Sequence, residues 1–144
     1  MANTKKCIFK ITSNVINLDE NGKPDGAPEK DEFSAEGSLK TDKNATQLSY
    51  KEIREGSSVS CEITVKDATV SVRRRGDVSC DMVFSAGKTH ETLYRVPPFS
   101  FDMTIDTVRI ENGISEENGS LSLLYDMTVG GAKKRCRMKI TRKD

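Results

Sequence analysis

Apolar and polar residues alternate along most of this chain, and this period of two restricts its fold more than any other feature. In the first such segment Cys7, Phe9 and Ile11 share one phase, while Lys10 and Thr12 fall in the other. A period of two places one set of side chains on the dry face of a strand and the other set in water. No window keeps a helical period over three turns, so the chain is predicted to be all-β. The alternation recurs in five further segments: 60–66, 69–73, 79–84, 121–129 and 135–141.

Short turn sequences separate these segments about every ten residues, as at R-G-D (75–77) and V-G-G-A (129–132). Segments joined in this way form antiparallel hairpins, whereas parallel strands would need helical crossovers that no segment supplies. The apolar phase changes between Ile105 and Val108, which predicts a bulge or bend there. About nine to eleven strands could pack as a sandwich or close as a barrel. The meander of hairpins favours a single antiparallel β-barrel, because closure removes exposed sheet edges.

Length and composition fit one domain over residues 1–144. Hydrophobic residues make up 35% and charged residues 31%, which suits a thin wall with half of its side chains in water. Lys10 and Thr12 interrupt the N-terminal segment, which therefore lacks the apolar run of a signal peptide, and no stretch is apolar enough to span a bilayer. These observations predict a cytoplasmic protein without membrane association. The net charge of +1 gives no global field that would attract nucleic acid.

The segment L-D-E-N-G-K-P-D-G-A-P-E-K-D (18–31) differs from the rest, because it holds two of the four prolines and many charges. It is predicted to be an exposed loop that joins the first two strands. The spacing of its acidic residues hints at a calcium loop, but alignment of Gly26 with the invariant glycine of such loops would place the cation Lys23 at a ligand position. A solvated loop without metal is therefore the preferred interpretation.

Four cysteines, Cys7, Cys61, Cys80 and Cys136, lie far apart and have none of the usual zinc-site spacings. All four fall in the apolar phase of their segments, which predicts buried free thiols that pack as small hydrophobic side chains. A reducing compartment also argues against disulfides. The chain contains no dinucleotide, phosphate-loop or hydrolase motif, so neither a cofactor nor a metal is predicted.

The sharper signal is a set of polar residues in the apolar phase. Arg74 continues the phase of Val70 and Val72, and a buried charge is costly unless it is paired, so Arg74 is predicted to pair with Glu52 or Glu91. The set is interpreted as a structural ion pair that plugs the barrel, as an arginine fork for a carboxylate or phosphate ligand, or as a surface group after a register shift. If the faces point inward, six side chains gather at one barrel end: Tyr50, Glu52, Arg54, Arg74, Glu91 and Arg95.

His90 is the only histidine, and a catalytic base would need an orienting carboxylate and a nucleophile nearby. Glu91 is adjacent in sequence and so points to the opposite face of a strand, whereas Thr92 and Tyr94 share the face of His90. This row either lines a pocket or lies outside the barrel, and the outside is preferred because isolated histidines are common. No catalytic residue is assigned, and His90, Tyr94 and Tyr125 are secondary candidates for ligand binding.

Basic residues also occur in the wet phase. Arg73 and Arg75 would form a basic stripe with Arg135, Arg137 and Lys139 if their strands were neighbours. The stripe would lack interleaved aromatic residues, because the chain has no Trp and its Phe residues lie mostly in the dry phase, so nucleic-acid binding by stacking gains little support. A solvated face that discourages edge pairing is the preferred interpretation.

Four sequence blocks follow one another within residues 31–142: S-Y-K-E (49–52), R-R-G with M-V-F (74–76 and 82–84), H-E-T-L-Y-R-V-P (90–97) and G-S-L-S-L-L-Y-D-M (119–127). In this order they resemble the YwiB-like family of small bacterial proteins of unknown function. The resemblance implies a closed barrel of calycin, or lipocalin-like, type with an interior. It implies no function, because similarity of fold to ligand carriers is an association only.

These observations favour a non-catalytic intracellular binding protein that holds a small amphipathic or anionic ligand in its barrel, with the Arg74 end as polar anchor. The alternative is an interaction module with a solid interior whose basic outer face contacts an acidic protein or RNA. An enzyme would depend on His90 alone. A homo-oligomer is compatible with the sequence.

Overall fold

The computed structural model describes residues 3–115 and 117–143 of the chain. Within those ranges every regular element is a β-strand, and no helix is long and apolar enough to cross a membrane. The ten strands are β1 (Asn3–Leu18), β2 (Pro24–Thr41), β3 (Ala45–Arg54), β4 (Ser57–Lys66), β5 (Thr69–Gly76), β6 (Cys80–Ser85), β7 (Thr89–Val96), β8 (Phe99–Asn112), β9 (Ser120–Val129) and β10 (Ala132–Lys143).

All ten strands belong to one antiparallel sheet in the order β6-β5-β4-β3-β2-β1-β10-β9-β8-β7. The sheet curls until its outer strands meet at Ser79 and Arg95, whose backbone N–H groups each donate to the other's carbonyl oxygen at 2.9 Å. The result is a nearly closed barrel. The predicted all-β barrel of meander hairpins is confirmed.

Alternation along the strands separates the barrel interior from water. In β4, Val59, Cys61, Ile63 and Val65 are buried, and the residues between them are exposed or half-buried. The predicted phase of the cysteines is also confirmed, because all four are buried free thiols. The predicted irregularity in β8 is present as a register shift at Val108, opposite β9.

The two ends of the barrel differ in how they are filled. Turns after odd-numbered strands, at 19–23, 55–56, 77–79, 97–98 and 130–131, mark what we call the open end, and the opposite end is the far end. At the far end Ile114 is fully buried, and Nη1 of Arg142 donates to the carbonyl oxygens of Ile114 and Ser115 at 3.1 Å each. Each large apolar side chain buried there contributes about 1.5–3 kcal/mol. Other buried residues include Leu48, Ile63, Val70, Phe84, Ile105 and Ile140.

The predicted loop at 18–31 is wrong in conformation, although most of the segment is exposed as expected. β1 continues to Leu18, a turn occupies 19–23, and β2 begins at Pro24 and pairs with β1 from there. Pro28 lies where the register between β1 and β2 shifts, and proline is tolerated at such irregularities because no ladder N–H is needed. Pairing with a long, well-formed β1 thus overrides the local turn signals.

β2 and β3 separate toward the open end. In the part of the chain that the structure describes, they pair only over 37–41 and 46–50, although both strands continue beyond Gly37. At this branch point a Cβ on Gly37 would overlap the carbonyl oxygen of Ser49 and lie 3.0 Å from the Phe9 ring, so only glycine permits the approach. We call this separation the fork, and it interrupts the barrel wall beside the candidate site.

Candidate functional site

Near the open end, side chains leave a cavity of about 470 Å³ inside the barrel. Much of its wall is apolar, and four methionines contribute to it. The flexible thioether side chain of methionine adapts to irregular apolar shapes. The methionines of the wall are Met82, Met103, Met127 and Met138. The charged residues of the wall are Asp31, Glu52, Arg74 and Lys134.

Arg74 reaches the cavity within a row of residues that crosses four strands. Tyr50 of β3 pairs with Cys61 of β4, Cys61 with Arg74 of β5, and Arg74 with Cys80 of β6. Directly opposite residues of antiparallel strands point to the same face, and all four residues line the cavity. The inward orientation predicted for Arg74 from the dry phase of β5 is therefore confirmed.

A carboxylate shared by two arginines holds Arg74 in place. Nη2 of Arg74 donates to Oε2 of Glu52 at 3.2 Å, and Nε of Arg54 lies 3.3 Å from Oε1 of the same carboxylate. Arg54 in turn donates to both carboxylate oxygens of Asp31, at 2.5 and 3.2 Å. These four groups form a chain of alternating charge. The predicted pairing of Arg74 with Glu52 is present.

This chain of charges crosses the fork, because Asp31 belongs to β2 while Glu52 and Arg54 belong to β3. The guanidinium carbon of Arg54 also lies 4.3 Å from the centre of the Phe33 ring on β2, which is a cation–π contact. We call Asp31, Phe33 and Arg54 the latch. Its side chains connect the two strands where backbone hydrogen bonds do not, and they cover the cavity on that side.

The ion pairs fix the charges of the site near neutral pH. Hydrogen bonding from Arg54 is the main cause that lowers the pKa of Asp31. Burial by itself would lower the pKa of Arg74, but the carboxylate of Glu52 opposes this effect, and the pKa is raised. The thiols are neutral near pH 7, so the anion that faces Arg74 is Glu52.

Cysteines of the cavity wall are held as protonated thiols. Burial raises the pKa of Cys61 and of Cys80, although the positive charge of Arg74 opposes this effect. Burial likewise raises the pKa of Cys136 to about 11, and a hydrogen bond with Tyr125 offsets only part of that shift. A nucleophilic cysteine needs a thiolate near neutral pH, so these thiols favour packing over covalent chemistry. Among the residues that the structure describes, no group of His, Cys, Asp and Glu side chains could hold a metal ion.

Tyr50 and Tyr125 add hydroxyl groups to the same wall. Each is the cross-strand neighbour of a cysteine, Cys61 and Cys136 respectively. Burial raises the pKa of both tyrosines well above the usual range. Both hydroxyls therefore remain protonated near neutral pH.

The predicted orientation of β7 is wrong. Glu91 and Arg95 are exposed on the outside of the barrel, and Leu93 between them is 39% exposed, so neither charge joins the polar cluster. The register with β8 sets the orientation of β7, because its other phase lies opposite the buried residues Met103 and Ile105. The prediction that Glu91 and Arg95 face inward depended on Leu93, the apolar residue between them. Leu93 faces outward, and so do both charged residues.

The inner phase of β7 consists of His90, Thr92 and Tyr94, which are half-buried. Tyr94 lines the cavity, so the preferred location outside the barrel is wrong for this residue. His90 lies opposite Ile105 in β8 and does not contribute to the cavity wall.

Several residues of the site were missed by the sequence-based predictions, among them Asp31, Phe33 and Lys134. Asp31 and Phe33 line the cavity, but Asp31 fell in the segment interpreted as a loop. Lys134 shares the phase of Cys136, whose burial was predicted, so the alternation along β10 contained the signal that places it inside.

Outward-facing basic residues do not form the stripe considered above. β5 and β10 are separated by four other strands in the sheet. Arg73 and Arg75 both contact Asp81, at 3.7 and 3.0 Å, and Arg135 pairs with Asp126 at 2.8 Å. Acidic partners therefore offset much of the positive charge on this surface.

A larger depression of about 640 Å³ lies mostly against outward-facing residues of β1, β2, β8, β9 and β10. Its charges are of both signs, and Arg109 pairs with Glu111 at 3.2 Å. It lacks the combination of an apolar wall and one buried charged end, so the interior cavity is the better candidate site.

Comparisons with known proteins place this geometry among uncharacterised barrels. Residues 10–140 match the model of a family described as a domain of unknown function, DUF1934. Over 106 residues the chain is 30% identical to the "Uncharacterized beta-barrel protein YwiB" of Bacillus subtilis (strain 168), covering 74% of this chain and 75% of that protein. A solved structure, "Crystal structure of ywiB protein from Bacillus subtilis", superposes with a TM-score of 0.78 at 26% identity, covering 97% of this chain and 94% of the other.

Proposed function

The chain belongs to the DUF1934 family, and from the geometry of its interior we propose that it is a non-catalytic binding protein for a small amphipathic anion. The observation that carries this proposal is a largely apolar cavity with one charged end at Arg74 and Glu52. Its volume, about 470 Å³, lies within the ~300–1,000 Å³ range of small-molecule sites. We thus propose a calycin-type barrel that holds its ligand in the interior.

The charge balance around the cavity supports an anionic ligand. The wall carries Arg74 and Lys134 against Asp31 and Glu52, and Arg54, which does not itself line the cavity, pairs with both of these carboxylates. One positive charge is in excess, and a monoanion in the cavity would balance it. An apolar environment makes such a balance favourable, because an uncompensated charge is costly there.

Arg74 is the group that we assign to the anion. A guanidinium group has five N–H donors, and among the carboxylates in the described part of the chain only Glu52 accepts one of them. The remaining donors can make the paired hydrogen bonds that a carboxylate or phosphate prefers. Tyr50 and Tyr125 add polar groups to the same wall, and the methionines surround the apolar part of the ligand.

A first experiment is native mass spectrometry of freshly purified protein, followed by denaturation and identification of any released molecule. We expect a complex that releases an anion with an apolar portion. Release of a cation or of a wholly polar molecule would contradict the proposed chemistry.

The second experiment is calorimetric titration of the protein with octanoate, a simple amphipathic carboxylate. The substitution Arg74→Gln should weaken octanoate binding about tenfold or more, since a hydrogen bond to a charged group is worth about 1.5–3 kcal/mol. Arg73→Gln is the matched control, because it removes the same charge from the adjacent residue, which faces outward. Equal affinities of the two variants, or no octanoate binding by the unmodified protein, would refute the proposal.

A basic interaction module gains no specific support from the geometry. That alternative required a solid interior, whereas the barrel contains a cavity, and Arg73 and Arg75 are paired with Asp81. A cytoplasmic location belongs to the present proposal, and the four free, buried thiols support it.

A further inference from the structure

We propose that the tip of the β7–β8 hairpin extends the binding site, so that the ligand is an anion with one long apolar chain. In this arrangement its head lies at Arg74 and the end of its chain lies against Phe99 and Phe101. The inference depends on the function proposed above and specifies the ligand class.

The hairpin tip projects beyond its neighbours at the open end. Pairing between β8 and β9 begins at Met103, and β6 contacts β7 through the Ser79–Arg95 bridge. Among the residues that the structure describes, 96–101 therefore have backbone ladder partners only within the hairpin itself. The tip is therefore a two-stranded extension of the barrel wall at the open end.

One face of this extension continues the lining of the cavity. Tyr94 lies opposite Phe101, and Val96 lies opposite Phe99. Because side chains alternate between faces along a strand, these residues share the face of Met103, which lines the cavity together with Tyr94. The apolar residues of the tip thus continue the inner face of the hairpin beyond the cavity wall.

The other face of the tip is polar, with Arg95, Ser100 and Asp102 exposed. On the apolar face Phe99 is 64% exposed and Phe101 is 41% exposed, and their rings stack with centres 6.4 Å apart. Two exposed aromatic rings on the side that faces the cavity mouth form a surface that an apolar chain leaving the cavity would cover.

The path from the anion to this surface is short. Arg74 pairs with Cys80, and the antiparallel Ser79–Arg95 bridge places the next residues, Cys80 and Tyr94, opposite each other across the seam between β6 and β7. Both line the cavity. A chain that starts at Arg74 and runs along Tyr94 therefore reaches Phe101.

The test compares octanoate with hexadecanoate, which has the same head group and a longer chain. In the unmodified protein, hexadecanoate should bind at least about tenfold more tightly, the gain expected when roughly two further methylene groups are buried. The double substitution Phe99→Ser and Phe101→Ser should remove this gain and leave octanoate affinity within about twofold. Phe99→Leu with Phe101→Leu should retain most of the gain, because the surface stays apolar.

Ile8→Ser is the matched control for loss of exposed apolar area, because Ile8 is 47% exposed on the outer face of β1. It should leave both affinities unchanged. The inference is overturned if the two acids bind equally to the unmodified protein, or if the serine variant loses affinity for both acids to the same degree. Absence of octanoate binding would instead refute the function proposed above, and this inference with it.

Discussion

Gly37 shows how a single residue position shapes the site. Its backbone approaches Ser49 so closely that a Cβ would overlap the carbonyl oxygen, and the Phe9 ring and the Cβ of Tyr50 would each lie 3.0 Å away. The neighbours are backbone and buried aromatic groups, so they cannot move aside without disturbing the core. The branch point of the fork therefore requires glycine.

The substitution Gly37→Ala should lower the free energy of unfolding by about 1–3 kcal/mol, the usual cost of overpacking a well-packed site. Urea unfolding followed by circular dichroism would measure the change. Gly113→Ala is the control, because a Cβ at Gly113 would lie 3.5 Å from the carbonyl oxygen of Ser120, an ordinary contact. Equal effects of the two substitutions would show that the approach at Gly37 is not the constraint.

The orientation of individual side chains in the site was predicted from the sequence only in part. Tyr50, Glu52 and Arg74 were placed inside by alternation, because each continues a strand whose apolar residues mark the inner face clearly. Glu91 and Arg95 were misplaced because β7 offers one apolar residue between polar ones, and the register with β8 decides its orientation. Register between strands is a long-range property that a local pattern does not contain.

Among the elements, β2 and β3 are joined by side chains where their backbones part. The latch places Arg54 between Asp31 and Phe33 of β2, within reach of both. Exposed ion pairs contribute little by themselves, so the latch is a weak connection compared with a backbone ladder. Its strength should therefore depend on the charge of Asp31.

Acid should weaken the latch in a defined direction. The pKa of Asp31 is lowered in the folded protein by the hydrogen bond from Arg54. The resulting stabilisation is present above the unfolded pKa, about 3.9, and is lost as pH falls through the lower folded value. The destabilisation caused by Arg54→Gln should thus be constant from about pH 5 to pH 7 and should shrink below about pH 4.

Urea unfolding at pH 3, 4 and 6 would measure this dependence. Lys51→Gln is a suitable control, because Lys51 is an exposed residue of the same strand and lies outside the latch. A difference between Arg54→Gln and the unmodified protein that persists undiminished at the lowest pH would contradict the role given to Asp31.

The strand content was predictable, whereas the extent of β2 was not. Prolines, glycines and charges over 24–31 are ordinary turn signals, yet this segment pairs with β1. A strand that is exposed on both faces has no alternation of apolar and polar residues, so the sequence does not show that it is a strand. Only the presence of a long partner strand makes it extended, and that partner could not be identified from the segment itself.

Across the whole molecule, closure of the barrel is uneven. β1 and β10 pair with each other along ten residues. On its other side β1 pairs with β2, and β10 pairs with β9. At the opposite side of the barrel, β6 and β7 share the Ser79–Arg95 bridge at one end of their seam. The turn between them is tied to β8, where the N–H of Gly87 donates to the carbonyl oxygen of Thr107 at 2.9 Å.

This asymmetry predicts a gradient of amide hydrogen exchange. Amides in the centres of β1 and β10 should exchange most slowly, and those of β6 and β7 that face the seam should exchange faster, because opening there breaks fewer hydrogen bonds. Exchange followed by mass spectrometry would resolve the two regions. Equal protection of β1 and of the seam would show that the barrel opens as a single unit.

Glu52 has a consequence for the energetics of the whole barrel, because its two oxygens serve different purposes. One faces Arg74 in the cavity, and the other faces Arg54 at the fork. An anion bound to the remaining donors of Arg74 would share that guanidinium with Glu52, whose carboxylate would then depend more on Arg54. If the proposed function holds, ligand binding and closure of the fork would be thermodynamically linked: the free energy by which a bound ligand changes the contacts of the fork would equal the free energy by which those contacts change ligand binding.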